Sequence, residues 1–398
     1  MIRKYEEALL SEKQDGEAEW TICAIYSKGA YTVEKKKVMI ICADLNIGGA
    51  QAVAARICKY APEQYAFVYV LLTEEIGQYE EDILRKGGRI IHIPAPAQGR
   101  YAFISTVYKL MRQEAVDVVH CHNMFNCGIV MLAAKLAGVP CRVSHSHTIK
   151  EGCRMTPVRI CYQWAMRMLI RMCGNVFLAC GVKAGHVLYG KRWFDRKGIV
   201  IPNGIDPYAY AYSAENRQAI RKLYGLENQL VIGHVGHYVE VKNQAFLIDL
   251  MDVIRSRCPE AVLLLFGEGE DRNKLEERIR EKNAEEYIRL MGNVRNIGQV
   301  LSAFDVFAFP SLFEGTPIAL IEAQANGLPC IISDRIPTDA CLTDDVHVVP
   351  LDDAAAWAEA VTKARRLDPE SKADALMSGY EGVQASMRRI YAAYERHT

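Results

Sequence analysis

The stretch Lys37-Val-Met-Ile-Ile-Cys-Ala-Asp-Leu-Asn-Ile-Gly-Gly-Ala50 indicates the fold class. Its apolar first half is typical of a short β-strand that is buried on both faces. The residues from Asp44 onward predict a turn that opens into a helix, and Gly48 and Gly49 leave room there for a ligand to approach the backbone. A buried strand that leads directly into a helix is the beginning of a βαβ unit in a parallel sheet.

The same alternation continues along the chain in two series. Strand signals follow in the first half at 65–72, 89–93, 116–120, 142–145 and 176–180, and in the second half at 230–235, 261–266, 287–291, 306–310, 330–333 and 347–349. The turn-rich stretch Ile201–Tyr208 separates the two series. We therefore predict an α/β protein with two doubly wound, Rossmann-like domains.

The predicted domain organisation has four parts. These are a polar extension over residues 1–36, a first domain over 37–205, a second domain over 206–380, and a helical C-terminal segment over 381–398 that can return to the first domain. The length of 398 residues also suggests two or three domains.

Composition excludes several classes of protein. The 48 basic and 48 acidic side chains cancel, so the chain lacks the positive surface expected of a nucleic-acid-binding protein. Its 13 cysteines are odd in number and form no C-x-x-C pair, and the charged N-terminus has no signal-peptide core. No stretch approaches the roughly 18 apolar residues of a membrane span. We expect a cytoplasmic protein with reduced thiols.

The most informative motif is Phe309-Pro-Ser-Leu-Phe-Glu-Gly-Thr-Pro-Ile-Ala-Leu-Ile-Glu-Ala323. It predicts a strand end, a loop, and a helix with Thr316 as the N-cap and Pro317 as the first helical residue. Free N–H groups at such a helix start favour phosphate, whereas the Glu314 and Glu322 carboxylates accept hydrogen bonds from hydroxyls. A sugar nucleotide carries both groups. An ordinary capped helix with a solvated Glu322 fits the spacing equally well.

A second motif, Gly233–Gln244, follows the first strand of the second half. We expect Lys242 and Asn243 at the start of the next helix, where the ammonium group adds to the helix N-terminus in neutralising a diphosphate. His237 is a further candidate donor, and a solvated lysine is the alternative interpretation of Lys242. The turn Gly267-Glu-Gly269 lacks the third glycine of the dinucleotide fingerprint, so no nicotinamide cofactor is indicated.

The histidines are clustered. Two short runs, His120-Cys-His122-Asn123 and His145-Ser-His147-Thr148, lie at predicted strand ends, where imidazoles can bind hydroxyls, stabilise charge or transfer protons. Alternating histidines share one face of a strand, which also fits a metal site. Because no acidic ligands accompany them, we expect no metal there.

These residues together resemble a known family. Glu314-Gly-Thr-Pro followed by Glu322-Ala is similar to the E-x7-E signature of the retaining GT-B glycosyltransferases of family 4. The segments Asp305–Ser311, Gly327–Cys330 and Ile201–Asp206 resemble flanking landmarks of that family. The resemblance covers about residues 37–395, is closest to members that build bacterial capsular polysaccharides and exopolysaccharides, and implies two domains that face each other across a cleft.

The resemblance implies roles in donor binding for residues of the second half. It implies that Glu322 binds the ribose hydroxyls and that Glu314 contacts the donor sugar. The amides of Gly315 and Thr316 would hold sugar and phosphate, and Lys242 would stabilise the departing diphosphate.

The resemblance also implies roles for residues of both halves around the donor's diphosphate, anomeric centre and base. Gly48 and Gly49 would close over the diphosphate from the first domain. His147, or else His122, would lie beside the anomeric centre and the acceptor. The backbone around Asn293 and Val294 would recognise the base.

One position departs from the family pattern. The family usually has an arginine five residues before its lysine, and this chain has His237. Arginine is always charged and binds two phosphate oxygens at once, whereas histidine is only partly protonated at neutral pH, so diphosphate stabilisation falls mainly on Lys242. A catalytically weak sugar-nucleotide-binding or partner subunit is therefore an alternative, and a sugar-nucleotide 2-epimerase of the same fold is another.

The sequence and the resemblance together predict a retaining hexosyltransferase. It would move a sugar from a nucleotide-sugar to a glycan or polyprenyl-linked acceptor in cell-surface polysaccharide synthesis. The family resemblance implies that the donor is a UDP-sugar. We expect no cofactor, since protein cations replace a metal ion. Thr156–Cys173 places Arg159, Arg167 and Arg171 on one arc, as in a helix lying on a membrane surface. A core-packing helix with snorkelling arginines is the alternative.

Overall fold

The computed structural model describes residues 35–46, 48–93, 100–147, 156–294, 296–314, 317–366, 376 and 382–398. Nearly all of the predicted polar extension lies outside this part of the chain. The described residues form two parallel sheets, one of seven and one of six strands. The prediction of an α/β fold with two Rossmann-like halves is confirmed.

The first sheet has the strand order β3-β2-β1-β4-β5-β6-β7. Its strands are β1 (Lys36–Cys42), β2 (Tyr65–Leu71), β3 (Arg89–His92), β4 (Val118–Cys121), β5 (Cys141–Ser146), β6 (Val176–Ala179) and β7 (Gly198–Val200). Strand β7 is not predicted from the sequence, because three residues that begin with glycine carry no period-two or apolar-run signal.

Helices connect these strands and cover both faces of the sheet. They are α1 (Gly49–Lys59), α2 (Glu80–Arg85), α3 (Arg100–Gln113), α4 (Cys127–Leu136), α5 (Pro157–Cys173), α6 (Val182–Tyr189) and α7 (Lys191–Lys197). Met39 and Ile41 of β1 pack into the core on one face, and Val38 and Ile40 pack into the core on the other. The continuous apolar run in β1 is thus explained by burial on both sides.

The second sheet has the order β10-β9-β8-β11-β12-β13. Its strands are β8 (Leu230–Val235), β9 (Ala261–Phe266), β10 (Ile288–Gly292), β11 (Val306–Phe309), β12 (Cys330–Ser333) and β13 (Val346–Val349). Its helices are α8 (Ala214–Tyr224), α9 (Gln244–Arg257), α10 (Arg272–Glu281), α11 (Ile297–Leu301), α12 (Ile318–Ala325) and α13 (Ala354–Lys363).

The last helix, α14 (Val383–Glu395), packs against the first sheet and not the second. Ile390 and Tyr394 are fully buried in the core that contains β1. The Tyr391 hydroxyl donates to the Ile57 carbonyl of α1, and the Tyr394 hydroxyl bonds to His120 of β4. The exact domain boundaries stay predictions.

The arginines of α5 do not form the predicted membrane-facing arc. Arg167 donates to the carbonyls of Leu188 at 3.2 Å and Val187 at 2.8 Å, and Arg171 donates to that of Tyr189 at 2.9 Å. These carbonyls end helix α6, where backbone oxygens lack helical partners and a cation is stabilising. The interfacial prediction is therefore wrong for Arg167 and Arg171.

The exposed side of α5 is instead apolar. Val158 is 80% exposed, Trp164 64% and Met172 63%. Within the described residues, no helix combines the length and the hydropathy needed to span a membrane.

Candidate functional site

The topology brings most of the predicted site residues to two edges. In each sheet the chain order reverses once, between β1 and β4 and between β8 and β11. Ligands of doubly wound folds bind beyond the carboxyl ends of the strands at this point. The two halves also contact each other near these edges, because the Lys183 ammonium, in the first turn of α6, lies 5.6 Å from the centre of the Phe313 ring in the loop after β11.

Lys242 and Glu314 form the centre of the candidate donor site. They follow β8 and β11, which are neighbours in the sheet, and Lys242 Nζ lies 2.6 Å from Glu314 Oε1. Both side chains are largely buried, and Lys242 Nζ also lies 5.2 Å from the centre of the Phe309 ring. A lysine that is held this way is not the freely solvated residue of the alternative interpretation.

The loops that carry this pair are bound to each other along their backbones. The Leu312 amide donates to the Val241 carbonyl at 2.8 Å, and the Asn243 side-chain amide donates to the Pro310 carbonyl at 3.2 Å. Asn243 has a left-handed backbone with φ of 56° and directly precedes α9. Asparagine tolerates that conformation better than most residues, so it can end the loop and begin the helix.

His237 lies at the exposed rim of the same loop. Its Nδ1 is 3.3 Å from the Glu268 carbonyl, and its own carbonyl accepts a bond from Gln244 Nε2 at 2.8 Å. The backbone of this loop packs tightly on the glycine turn after β9: a Cβ at Gly269 would lie 2.3 Å from the Tyr238 carbonyl oxygen. The glycines of that turn therefore allow two loops to touch, which is a structural reason for their presence.

Glu322 lies on α12 and is buried. Burial raises the pKa of Glu322 to about 7, and a hydrogen bond from Tyr210 and the positive charge of Arg56 oppose that rise. Helix α12 begins at Ile318, one residue later than predicted, with Pro317 as its N-cap. Glu322 is thus not a solvated side chain.

The remaining donor-site candidates lie at neighbouring strand ends. Asn293 and Val294 directly follow β10, beside the glycine turn, since the Gly267 amide donates to the Gly292 carbonyl at 2.9 Å. Gly48 is the N-cap of α1, and a Cβ placed on Gly49 would meet nothing within 4 Å. That open space is what ligand approach requires. Gly315 and Thr316 lie outside the described residues.

His120, His122, His145 and His147 form a single group, which we call the histidine cluster. His120 lies on β4 and His145 on the neighbouring strand β5, while His122 and His147 directly follow the ends of these strands. Adjacent ring centres are 4.1–5.3 Å apart. Burial lowers the pKa of His120 to about 3 and that of His147 to about 4, and it holds those of His122 and His145 well below the usual range. All four imidazoles are therefore neutral at pH 7.

Several residues at these sites were missed from the sequence. Tyr210 bonds to Glu322, Gln244 orients the His237 carbonyl, and Tyr394 holds His120. Gln244 lies inside the motif quoted above and could have been singled out. Tyr210 and Tyr394 carried no signal, because each reaches its partner only through the tertiary fold.

Two family models match the chain, one in each half. The model described as Glycosyltransferase Family 4 matches residues 47–208, and the model described as Glycosyl transferases group 1 matches residues 229–366. With two parallel Rossmann-like sheets and a match to both family models, the protein is a GT-B glycosyltransferase.

Two relatives extend this match over most of the chain. A putative glycosyltransferase, EpsF, of Bacillus subtilis is 33% identical over 83% of this chain and 88% of its own length. The UDP-Gal:alpha-D-GlcNAc-diphosphoundecaprenol alpha-1,3-galactosyltransferase of Escherichia coli is 30% identical over 65% of this chain and 68% of its own. This chain belongs to glycosyltransferase family 4 and is an enzyme of the hexosyltransferase type.

A solved structure shows the same fold. The chain resembles Anabaena Alr3699/HepE in complex with UDP-glucose with a TM-score of 0.73 at 18% identity, over 90% of this chain and 99% of that one. The likeness includes both domains, which confirms the predicted GT-B architecture.

Proposed function

We propose that the protein transfers a hexose from a UDP-sugar, with retention of configuration, to a polyprenyl-linked saccharide or glycan in cell-surface polysaccharide synthesis. The observation that carries this proposal is the largely buried Lys242–Glu314 pair, which lies where the strand order of the second sheet reverses, between β8 and β11. It unites a diphosphate-binding cation and a hydroxyl-binding carboxylate at the place where doubly wound folds bind nucleotides.

The pair can serve both parts of such a donor. A lysine has three N–H donors, so Lys242 can keep its bond to Glu314 and still donate to the diphosphate. In a site shielded from water, that cation stabilises the negative charge that develops as the glycosidic bond breaks. The second oxygen of Glu314 remains available to a sugar hydroxyl. No protein nucleophile is required, since donor and acceptor need only be held close.

The nature of the donor and acceptor is supported by the relatives. HepE was solved with UDP-glucose, and the Escherichia coli relative is named for a UDP-Gal donor and a diphosphoundecaprenol-linked acceptor. We place the enzyme in the cytoplasm, at the inner surface of the membrane, with Val158, Trp164 and Met172 of α5 as the contact. Flotation with anionic liposomes should be lost in Trp164→Ser, and unchanged flotation would exclude this contact.

We propose that transfer requires no metal ion. Lys242 and the amides at the start of α9 supply positive charge where a metal-dependent enzyme would hold its ion. His237, at the exposed rim of the same loop, is a further hydrogen-bond donor candidate. Turnover should therefore persist in excess chelator.

The test is a donor panel with purified protein and a polyprenyl-linked acceptor, followed by product analysis that includes anomeric configuration. Lys242→Met and Glu314→Gln should each lower kcat/KM by at least 100-fold, equivalent to about 2.7 kcal/mol. Lys222→Met is the control, since Lys222 is an exposed lysine of α8. Wild-type rates in both site variants would reject the site.

A non-catalytic subunit is the second candidate, and His237 is the observation that favours it. If the protein binds donor by calorimetry but neither transfers nor hydrolyses it, and His237→Arg does not restore turnover, this second function is correct. Product formed from donor alone, without acceptor, would instead indicate an epimerase.

A further inference from the structure

We propose that the histidine cluster binds one divalent transition-metal ion, with Zn²⁺ as the preferred ion and His120, His122 and His145 as its ligands. One ring nitrogen of each of these three residues lies within 4.8 Å of the others. All three side chains are buried. Its three ligands belong to the first half of the chain, whereas Lys242 and Glu314 belong to the second.

The hydrogen bonds hold the Nδ1 atom of each of the three rings and leave Nε2 free in two of them, His122 and His145. His120 Nδ1 lies 2.6 Å from the Tyr394 hydroxyl, and His145 Nδ1 lies 3.1 Å from His120 Nε2. His122 Nδ1 lies 2.8 Å from His147 Nε2. Each Nδ1 is therefore held by a neighbour, as is usual for histidines that bind a metal through Nε2.

Two of the Nε2 atoms have no other partner. Those of His122 and His145 are buried and make no hydrogen bond in the structure. A buried polar atom without a partner is destabilising, so these two and His147 Nδ1, which also lacks one, need an explanation. If each Nδ1 carries the proton, both Nε2 atoms present lone pairs, and a bound cation would satisfy both. His120 would exchange its contact with His145 for the ion.

The ligand set selects the ion. Neutral imidazole suits Zn²⁺, Ni²⁺ and Cu²⁺, whereas Mg²⁺ and Ca²⁺ require oxygen ligands. Three histidines with one further position is a common zinc arrangement. His147, which is partly exposed, and His122 form the more accessible side of the cluster, by which an ion can enter.

The first experiment uses the full-length wild-type protein after treatment with chelator. Calorimetric titration with Zn²⁺, in buffer that contains a phosphine reductant, should show one tightly bound ion per chain. Elemental analysis should give the same stoichiometry. X-ray absorption at the zinc edge should show nitrogen scatterers with the multiple-scattering pattern of imidazole. No stoichiometric binding, or coordination by cysteine sulfur, would overturn the proposal.

Variants then locate the ion. His145→Gln should abolish saturable binding, and Tyr394→Phe, which removes only the partner of His120 Nδ1, should weaken it by about 10- to 100-fold. His347→Gln is the matched control, because His347 is exposed on β13. Circular dichroism identifies any variant that does not fold. Unchanged affinity in both a folded His145→Gln and a folded Tyr394→Phe would overturn the assignment. None of these measurements uses the transferase reaction, so the result is independent of the proposed function.

Discussion

At the scale of single residues, the burial of Glu322 lowers the stability of the folded protein when the carboxyl group is charged. Its carboxyl pKa is raised from 4.5 to about 7 because it is buried on α12. The folded protein therefore binds a proton at this group more tightly than the unfolded chain does. By linkage, the free energy of unfolding falls as pH rises from about 4.5 to 7, since the charged form is the disfavoured one.

We predict that Glu322→Gln removes this pH dependence. A pKa shift of this size lowers the free energy of unfolding by up to about 3 kcal/mol above pH 7. An uncharged amide does not carry this penalty and can still form a hydrogen bond with Tyr210. In urea unfolding from pH 4.5 to 8, the free energy of unfolding of the variant should increase relative to that of the wild type as pH rises. Glu227→Gln, at an exposed position, is the control. Parallel curves for wild type and Glu322→Gln would contradict the prediction.

The positions of some candidate site residues could be predicted from the sequence and those of others could not, for a physical reason. Lys242 and Glu314 could be expected to meet, because both follow strands at the edge where ligands bind in this fold class. The burial of Glu322 could not be expected, since Tyr210 reaches it from the segment that connects the two halves. Periodicity reports which face of a helix is apolar, and it does not report what packs against one polar residue on it.

At the scale of elements, α5 shows how the same pattern can have two explanations. Arginines spaced on one arc are compatible with a membrane surface or with the end of a neighbouring helix. The structure assigns Arg167 and Arg171 to the last carbonyls of α6. From the sequence, α6 could be predicted but not its position against α5, so the two explanations could not be separated.

We predict that Arg167→Met and Arg171→Met each destabilise the protein by about 1–3 kcal/mol. Each substitution removes charged hydrogen bonds to carbonyls that have no other helical partner. The midpoint of urea unfolding measures the loss. Arg192→Met on the exposed side of α7 should change it by less than about 0.5 kcal/mol. Equal midpoints for all three variants would show that these bonds contribute nothing.

At the scale of the whole molecule, helix α14 follows the second half in sequence but packs on the first half. Helix α14 completes the core around β1, and Tyr394 bonds to His120 across 274 residues. The alternation of strands and helices predicted two halves from sequence, because each buried strand carries its own apolar run. The contacts of α14 could not be derived this way, since an amphipathic helix fits any apolar surface of suitable shape.

We predict that Ile390→Ala destabilises the first half specifically. The Ile390 side chain is fully buried, and truncating such a residue costs about 2–5 kcal/mol. Limited proteolysis with mass spectrometry should show earlier cleavage within residues 36–200 than in the wild type. Ile76→Ala is the matched control, since Ile76 is 56% exposed in the same half. Earlier cleavage only within the second sheet would refute the assignment of α14 to the first core.

The position of α14 also determines the order in which the protein can be completed during synthesis. The ribosome makes the first half before the second, yet the core of that half lacks Ile390 and Tyr394 until α14 leaves the exit tunnel. The second half contains its own core and can close earlier. The half that is synthesised first is therefore completed after the second, and its sheet retains an uncovered apolar surface until α14 has been made, an interval in which chaperones can bind the nascent chain.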